Sequence, residues 1–376
     1  MISPGKCPHP PVSGGYNYNM EERINAGRQQ ELDLARGLAI FFMIAVHCLE
    51  IFAKSRVIDE TAYGIAVEFF GSFTSATVFM ILLGVGITYS RKAEPQILIK
   101  RGLLLIGAGY LLNLLRGFFP MLVSWKLTGS DEWLAYMMIE PLRIDILQFA
   151  GLAFIFFGLA KKLKFRTAAF VIALLVFGVM NILLINNGFN YPNIMDYHNY
   201  KFFIAAITGL FWGTSELSSF PFLTWIFYPI AGYLFGVYLI KQDVTGKKRL
   251  FTIATLLSAA VFAVAVSLCW YFEIDYGWET NASFYHHMIL GNIVFGSCAF
   301  LLIGIVYFMS RYIPELFKKT LSRWSNNVTE IYFIQWILIG WIAVGTGYNQ
   351  FEILVTAAIT LAVLFASDWL AFLYRK

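Results

Sequence analysis

The chain has 376 residues, of which 59% are hydrophobic, 18% aromatic and 14% charged, with a formal net charge of +5. A soluble domain of this length cannot bury so much apolar surface, so the composition excludes a water-soluble protein. The basic residues fall into short loops and give no reason to expect nucleic acid as a partner.

Apolar runs of about 20 residues recur along the chain, separated by short polar stretches. This pattern predicts an all-α, polytopic integral membrane protein whose surroundings are the lipid bilayer. Residues 1–30 are polar and predict a flexible cytoplasmic tail, and residues 31–376 predict a single transmembrane domain. Ten transmembrane helices are predicted, at residues 34–53, 66–89, 102–123, 143–160, 167–186, 221–240, 250–272, 286–310, 327–346 and 350–373.

The loops between these spans predict the orientation. If both termini are cytoplasmic, every basic cluster lies inside, whereas the outer loops collect acidic residues. Residues 202–213 are apolar but too short to cross, so we expect a re-entrant or interfacial segment on the outer side. We expect a multi-pass protein of a bacterial cytoplasmic membrane; its oligomeric state stays open, with a homodimer among the alternatives.

The first predicted span contains the most informative pair, Arg36 and His47. Their spacing of almost three helical turns places them on one face, about 16 Å apart along the axis. Charged and titratable groups at this depth are costly unless they line a polar cavity, so they indicate a functional site. Asp33 lies three residues before Arg36 and could hold its guanidinium, while Glu50 lies three residues after His47 and could orient the imidazole.

The segment Asp33-Leu34-Ala35-Arg36-Gly37, followed by His47, resembles the opening of the membrane-bound acyltransferase superfamily. Family 3 acyltransferases share an arginine, ten intervening residues and a histidine, and the heparan-alpha-glucosaminide N-acetyltransferase-like branch shares the acidic-x-x-Arg-Gly start. The chain differs from many family 3 members in carrying Gln335 where they have a late histidine. Further similar segments follow in the family's order, at residues 78–86, 100–102, 142–148, 220–236 and 326–332.

The resemblance implies transfer of an acyl group, with acetyl expected, from cytoplasmic acyl-coenzyme A to a hydroxyl or amine of an extracytoplasmic sugar or glycan. It implies no metal. His47 would act as a general base or carry the acyl group itself, and both routes stay open. The expected catalytic residues are His47, Glu50 and Arg36. The expected coenzyme-binding residues are Arg36, Arg91, Lys92, Lys100 and Arg101. The expected acceptor-binding residues are Asp145, Gln148, Asn327 and Glu330.

Two other classes of membrane protein also use charged groups near or within the bilayer. A secondary transporter of a small polar or glycan-related solute is the main alternative, although no internal repeat is visible in the sequence. A polyprenyl-phosphate-dependent glycosyltransferase usually carries a large outer domain. Neither class predicts Arg36 and His47 on one helical face with a spacing that suits coenzyme A.

Overall fold

The computed structural model describes residues 24–90, 93–191, 198–277 and 281–375, and within these residues it contains helices but no strand. The longest helices correspond to the apolar runs of the sequence. In chain order the α-helices are α1 (Gln30–Phe52), α2 (Ser55–Glu60), α3 (Ala62–Glu68), α4 (Ala76–Tyr89), α5 (Pro95–Asn113), α6 (Phe119–Thr128), α7 (Asp131–Ile139), α8 (Ile146–Lys162), α9 (Thr167–Asn186), α10 (Tyr200–Thr208), α11 (Phe222–Trp225), α12 (Phe227–Leu239), α13 (Val244–Tyr271), α14 (Asn281–Tyr285), α15 (Ile289–Met309), α16 (Glu315–Asn326), α17 (Val328–Thr346) and α18 (Ile353–Tyr374).

The described residues contain nine helical stretches that are long and apolar enough to cross a membrane. They coincide with nine of the ten predicted spans, so the fold class of a polytopic helical membrane protein is confirmed. The remaining span, predicted at residues 143–160, corresponds to α8, which has 17 residues. The count of ten and the cytoplasmic location of the termini stay predictions. Helix α10 has nine residues and is too short to cross, as expected for that segment.

Small residues let neighbouring helices approach closely, as is common where lipid provides no hydrophobic force between them. A methyl group at Gly84 of α4 would collide with the carbonyl oxygen of Pro229 in α12. A methyl group at Gly37 of α1 would lie 2.5 Å from the carbonyl oxygen of Leu321 in α16. The second contact packs α16 against the start of α1, the end that carries Arg36.

Two membrane-spanning stretches are interrupted by π-helical segments. The segment Phe69–Ser75 joins α3 to α4, and the segment Leu114–Phe118 joins α5 to α6. Each connects two α-helices without a loop, so the backbone remains hydrogen-bonded through the change. π-Helical turns are rare and frequently occur at functional sites.

The buried apolar side chains form two large clusters. One cluster centres on α4, α8, α12 and α15, and the other centres on α1, α17 and α18. Helix α1 contributes side chains to both clusters. A cavity with charged and polar side chains in its wall opens beside α1, the two π-helical segments and α17.

Candidate active site

The cavity has a volume of about 360 Å³ and lies toward the Phe52 end of α1. The charge pattern of the loops predicts that this end faces the outside. Helix α1 contributes His47 and Glu50, and both π-helical segments contribute wall residues, including Ser72 and Arg116. Its volume lies within the range of small-molecule sites, roughly 300–1,000 Å³.

His47 is the histidine among the described residues that line this cavity. Its Nδ1 atom lies 3.1 Å from Nε2 of Gln335 in α17. The imidazole also stacks on the indole of Trp336, with ring centroids 4.2 Å apart and an interplanar angle of 33°. A hydrogen bond at one nitrogen and an aromatic ring on one face fix the orientation of the imidazole, and Nε2 stays available for chemistry.

Gln335 is completely buried, and its Oε1 atom is among the buried atoms without a hydrogen-bond partner. The amide can donate to an unprotonated Nδ1 through Nε2. After a half-turn about its last torsion, it can instead accept from a protonated Nδ1 through Oε1. One side chain can therefore satisfy His47 in either protonation state.

A buried ion pair also lines the cavity. Nη1 of Arg116 lies 2.6 Å from Oδ2 of Asp145, and the Tyr332 hydroxyl donates to the same oxygen at 2.9 Å. The other carboxylate oxygen of Asp145 accepts from the backbone N–H of Ile146 at the start of α8. Asp145, expected to bind the acceptor, lies in the cavity wall, but its oxygens already hold Arg116, Tyr332 and a helix end.

Trp336 lies between two polar groups. Its indole contacts His47 on one side, and the guanidinium carbon of Arg116 lies 4.5 Å from its ring centroid. Cation–π contact of this kind holds a guanidinium in place without using its N–H groups. A methyl group at Gly340, one turn further along α17, would collide with the carbonyl oxygen of Arg116. The absence of a side chain at Gly340 thus lets α17 bring Trp336 to this position.

Glu50 lies in the cavity wall but does not orient His47, contrary to the expectation from their spacing. No hydrogen bond joins the two side chains in the described part of the chain, and Gln335 occupies Nδ1. The physical reason is that a spacing of three residues permits contact without enforcing it.

Arg36 lies on the same helix as His47, toward the other end, as predicted. Its Nη1 donates to the Ser325 hydroxyl at 3.2 Å, and its Nη2 donates to the Leu82 carbonyl oxygen at 3.2 Å. Ser325 in turn donates to Asp33 at 2.8 Å, and the ion pair of Asp33 with Arg36 spans 3.9 Å. The expectation that Asp33 holds the guanidinium is confirmed, with Ser325 as the bridge.

Three residues predicted to bind the acceptor are not brought to the cavity. Gln148 accepts from the backbone N–H of Asp145 and completes the cap of α8. Glu330 pairs with Arg375 at 2.7 Å. Asn327 stands at the junction between α16 and α17, where its backbone closes one helix and opens the next. All three serve helix ends in this structure, and the expectation of acceptor contact finds no support in their placement.

Of the expected coenzyme-binding residues, Arg36, Lys100 and Arg101 do not line the cavity. Lys100 and Arg101 are exposed on α5. Arg91 and Lys92 lie outside the described residues. Among the residues that the structure does describe, no group of three His, Cys, Asp or Glu side chains is placed to hold a metal ion.

The sequence singled out neither Arg116 nor Trp336 as a site residue. A lone arginine in an apolar span signals a buried counter-ion, but nothing in the sequence names that partner. The cap at the start of α8 could be predicted from the sequence, because Asp145 and Gln148 stand three residues apart before an apolar run.

A family model described as an acyltransferase domain matches residues 29–372, which is nearly the whole chain. The comparison with curated proteins gives no match.

Proposed function

Because the chain belongs to acyltransferase family 3, we propose that it moves an acyl group, with acetyl expected, from cytoplasmic acyl-coenzyme A to an extracytoplasmic sugar or glycan. The acceptor atom would be a hydroxyl oxygen or an amine nitrogen. The observation that carries this proposal is the position of His47, which is oriented by Gln335 and faces a small polar cavity. The family match favours this reaction over the transporter alternative.

His47 can perform acyl transfer by either of two balanced routes. As a general base, it takes the proton of the acceptor while that oxygen or nitrogen attacks the thioester carbonyl, and the departing thiolate then receives the proton. As a nucleophile, its Nε2 displaces the thiolate and forms an acyl-imidazole; the acceptor then attacks the acyl carbon, the imidazole departs, and the proton lost by the acceptor passes to the thiolate. Both routes use the lone pair of Nε2, so the neutral imidazole carries its proton on Nδ1, and Gln335 supports them by turning Oε1 to accept from that N–H.

Arg36 supports the donor side of the proposal. Its guanidinium is a fixed cation about 16 Å from His47 along α1, and the phosphates of coenzyme A are anions that such a group binds well. The pantetheine arm is long and narrow enough to connect a phosphate near Arg36 with a thioester near His47. Lys100 and Arg101 would add positive charge at the same membrane face, and Arg91 and Lys92 belong to the same proposed set.

The test is transfer from radiolabelled acetyl-coenzyme A by purified protein in lipid vesicles. We expect His47→Ala to lose transfer while it keeps coenzyme A binding, and Arg36→Ala to weaken that binding. His198→Ala and Arg56→Ala are matched controls, because they make the same changes at exposed positions away from the cavity. The proposal fails if the wild-type protein neither binds nor transfers from any acyl-coenzyme A. Full transfer by His47→Ala would remove His47 from the mechanism.

A further inference from the structure

Arg28 lies just before α1 and binds the same carboxylate as Arg36. Its Nε atom lies 2.5 Å from Oδ2 of Asp33, whereas Nη1 of Arg36 lies 3.9 Å from Oδ1. The two guanidinium groups therefore contact opposite oxygens of one side chain. Because arginine stays protonated in proteins, a single carboxylate between two of them leaves a positive charge at this end of α1.

The neighbouring ion pairs do not cancel this charge. Lys247 lies 2.7 Å from Glu31, and Arg323 binds Asp368 through two N–H groups. Each of these pairs holds one cation and one carboxylate, so neither has a negative charge to spare. Within this network of described side chains, the excess positive charge belongs to the two guanidinium groups that share one carboxylate.

Arg28 has more N–H groups available for a ligand than Arg36 has. Both Nη atoms of Arg36 already donate, one to Ser325 and the other to the carbonyl oxygen of Leu82, and its side chain is only 24% exposed. The side chain of Arg28 is 56% exposed and binds the carboxylate through Nε. Its Nη2 makes a long contact of 3.4 Å with a backbone oxygen of α16, and its Nη1 has no hydrogen-bond partner among the described residues. The edge formed by the two Nη atoms can therefore meet an incoming anion while Nε keeps its carboxylate.

The segment that carries Arg28 is held against the junction of α12 and α13. The backbone N–H of Asn25 donates to the carbonyl oxygen of Ile240 at 2.9 Å. The side-chain amides of Asn25 and Gln29 exchange hydrogen bonds at 2.9 and 3.1 Å, and Lys247 donates to Gln29 at 2.7 Å. A residue on a fixed segment loses less conformational freedom when it binds a ligand, which favours a binding role for Arg28.

We propose that Arg28 binds the diphosphate of the acyl-coenzyme A donor through its two Nη atoms, while Arg36 supplies a fixed positive charge beside it. This inference rests on the proposed function and adds to the donor site a residue that the sequence did not indicate. The planar fork of a guanidinium matches two phosphate oxygens. The diphosphate is the anion at which the pantetheine arm begins, and that arm has to span the distance from this end of α1 to His47.

The first test measures equilibrium binding of radiolabelled coenzyme A to the purified protein, without any transfer. We expect Arg28→Gln to weaken binding about tenfold, because it removes a charge-assisted contact. Arg28→Lys should fall between this variant and the wild type, since lysine keeps the charge but not the fork. Wild-type affinity in Arg28→Gln would overturn the inference.

Arg323→Gln is the matched control. It makes the same change at a half-exposed, ion-paired arginine of the same end, where cation and carboxylate are balanced. Its affinity for coenzyme A should equal that of the wild type, and a loss as large as in Arg28→Gln would overturn the inference by assigning the effect to overall charge. The unfolding temperature of Arg28→Gln should change little, because exposed ion pairs contribute little to stability. A large drop would assign Arg28 a structural role instead.

The second test identifies the bound group by competition against the labelled coenzyme. Dephospho-coenzyme A keeps the diphosphate and lacks the ribose phosphate, whereas pantetheine has neither. Arg28→Gln should weaken coenzyme A and dephospho-coenzyme A by the same factor and leave pantetheine unchanged. A loss confined to coenzyme A would overturn the assignment to the diphosphate, and an equal loss for pantetheine would exclude a phosphate contact.

These measurements separate this inference from the proposed function. If the wild-type protein binds coenzyme A and Arg28→Gln binds it equally well, the inference fails while the proposed function stands. If the wild-type protein binds no coenzyme A and transfers no acyl group, the proposed function fails and the inference fails with it.

Discussion

The Nε2 atom of Gln335 lies 3.1 Å from Nδ1 of His47, although the two residues are 288 positions apart in the chain. The contact joins α17 to α1 inside the cavity. It brings together a residue that the sequence singled out and one that it noted only as a departure from the family pattern. The orientation of the candidate catalytic imidazole therefore depends on how these two helices pack.

Replacing Gln335 by Met should lower kcat on the order of a hundredfold, because a misoriented base or nucleophile loses its alignment. Met fills a similar volume without the hydrogen bond. KM for acetyl-coenzyme A should change little, since Gln335 is distant from the donor end. Steady-state kinetics with both parameters resolved is the measurement.

Gln335→Glu separates the effect of the hydrogen bond that positions His47 from the effect of side-chain packing at residue 335. A carboxylate accepts from a protonated Nδ1, so this variant should retain clearly more activity than Gln335→Met. If both variants lose activity equally, the hydrogen bond that matters is one that Gln335 donates to Nδ1, not one that it accepts from Nδ1.

Removing one partner of the Arg116–Asp145 pair should strongly destabilise the protein. Arg116→Met leaves the Asp145 carboxylate buried without its cation, and breaking such a pair costs about 3–5 kcal/mol. Asp145→Asn in the same protein should recover part of the loss. Thermal unfolding of the single and double variants in detergent is the check, and simple additivity would contradict the pairing.

Gly340→Ala should lower both stability and activity, because its methyl group would collide with the Arg116 carbonyl oxygen. Overpacking of this kind costs about 1–3 kcal/mol. Gly345→Ala is the matched control: it lies on the same helix, and a methyl group there meets nothing within 4 Å. The unfolding temperature and the transfer rate should fall for Gly340→Ala and stay unchanged for Gly345→Ala.

Ser325→Ala should raise KM for acetyl-coenzyme A several-fold and change kcat little. The Ser325 hydroxyl links Arg36 to Asp33, so its loss lets the guanidinium leave the position proposed for phosphate binding. Ser322→Ala, one turn earlier on α16, changes the same atoms without touching Arg36. An effect on kcat of equal size in both variants would assign Ser325 a structural role only.

The sequence predicted what depends on local spacing. It placed Arg36 and His47 on one uninterrupted helix and assigned Asp33 to the guanidinium, because these relationships lie within a few turns. It did not predict that Gln335 would take the place of Glu50 beside His47, since that contact depends on the packing of distant helices. Gln148 was assigned to acceptor binding for another reason. Its spacing from Asp145 already indicated a helix cap, but a polar side chain at the outer end of a helix was also consistent with acceptor binding.

The two π-helical segments have a consequence for how this chain tolerates insertion and deletion. A π-turn holds one more residue than an α-turn, so it can absorb a single added or deleted residue while the helix beyond it keeps its facing. Deleting a single residue from Leu114–Phe118 would restore an ordinary helix, whereas the same deletion within an α-helical span such as α17 would swing the residues that follow by about 100°. The apolar composition of the span would be unchanged, yet the side of it that faces the other helices would now face lipid. In this chain the residue count of a span, and not only its hydrophobicity, decides which side chains reach the interior.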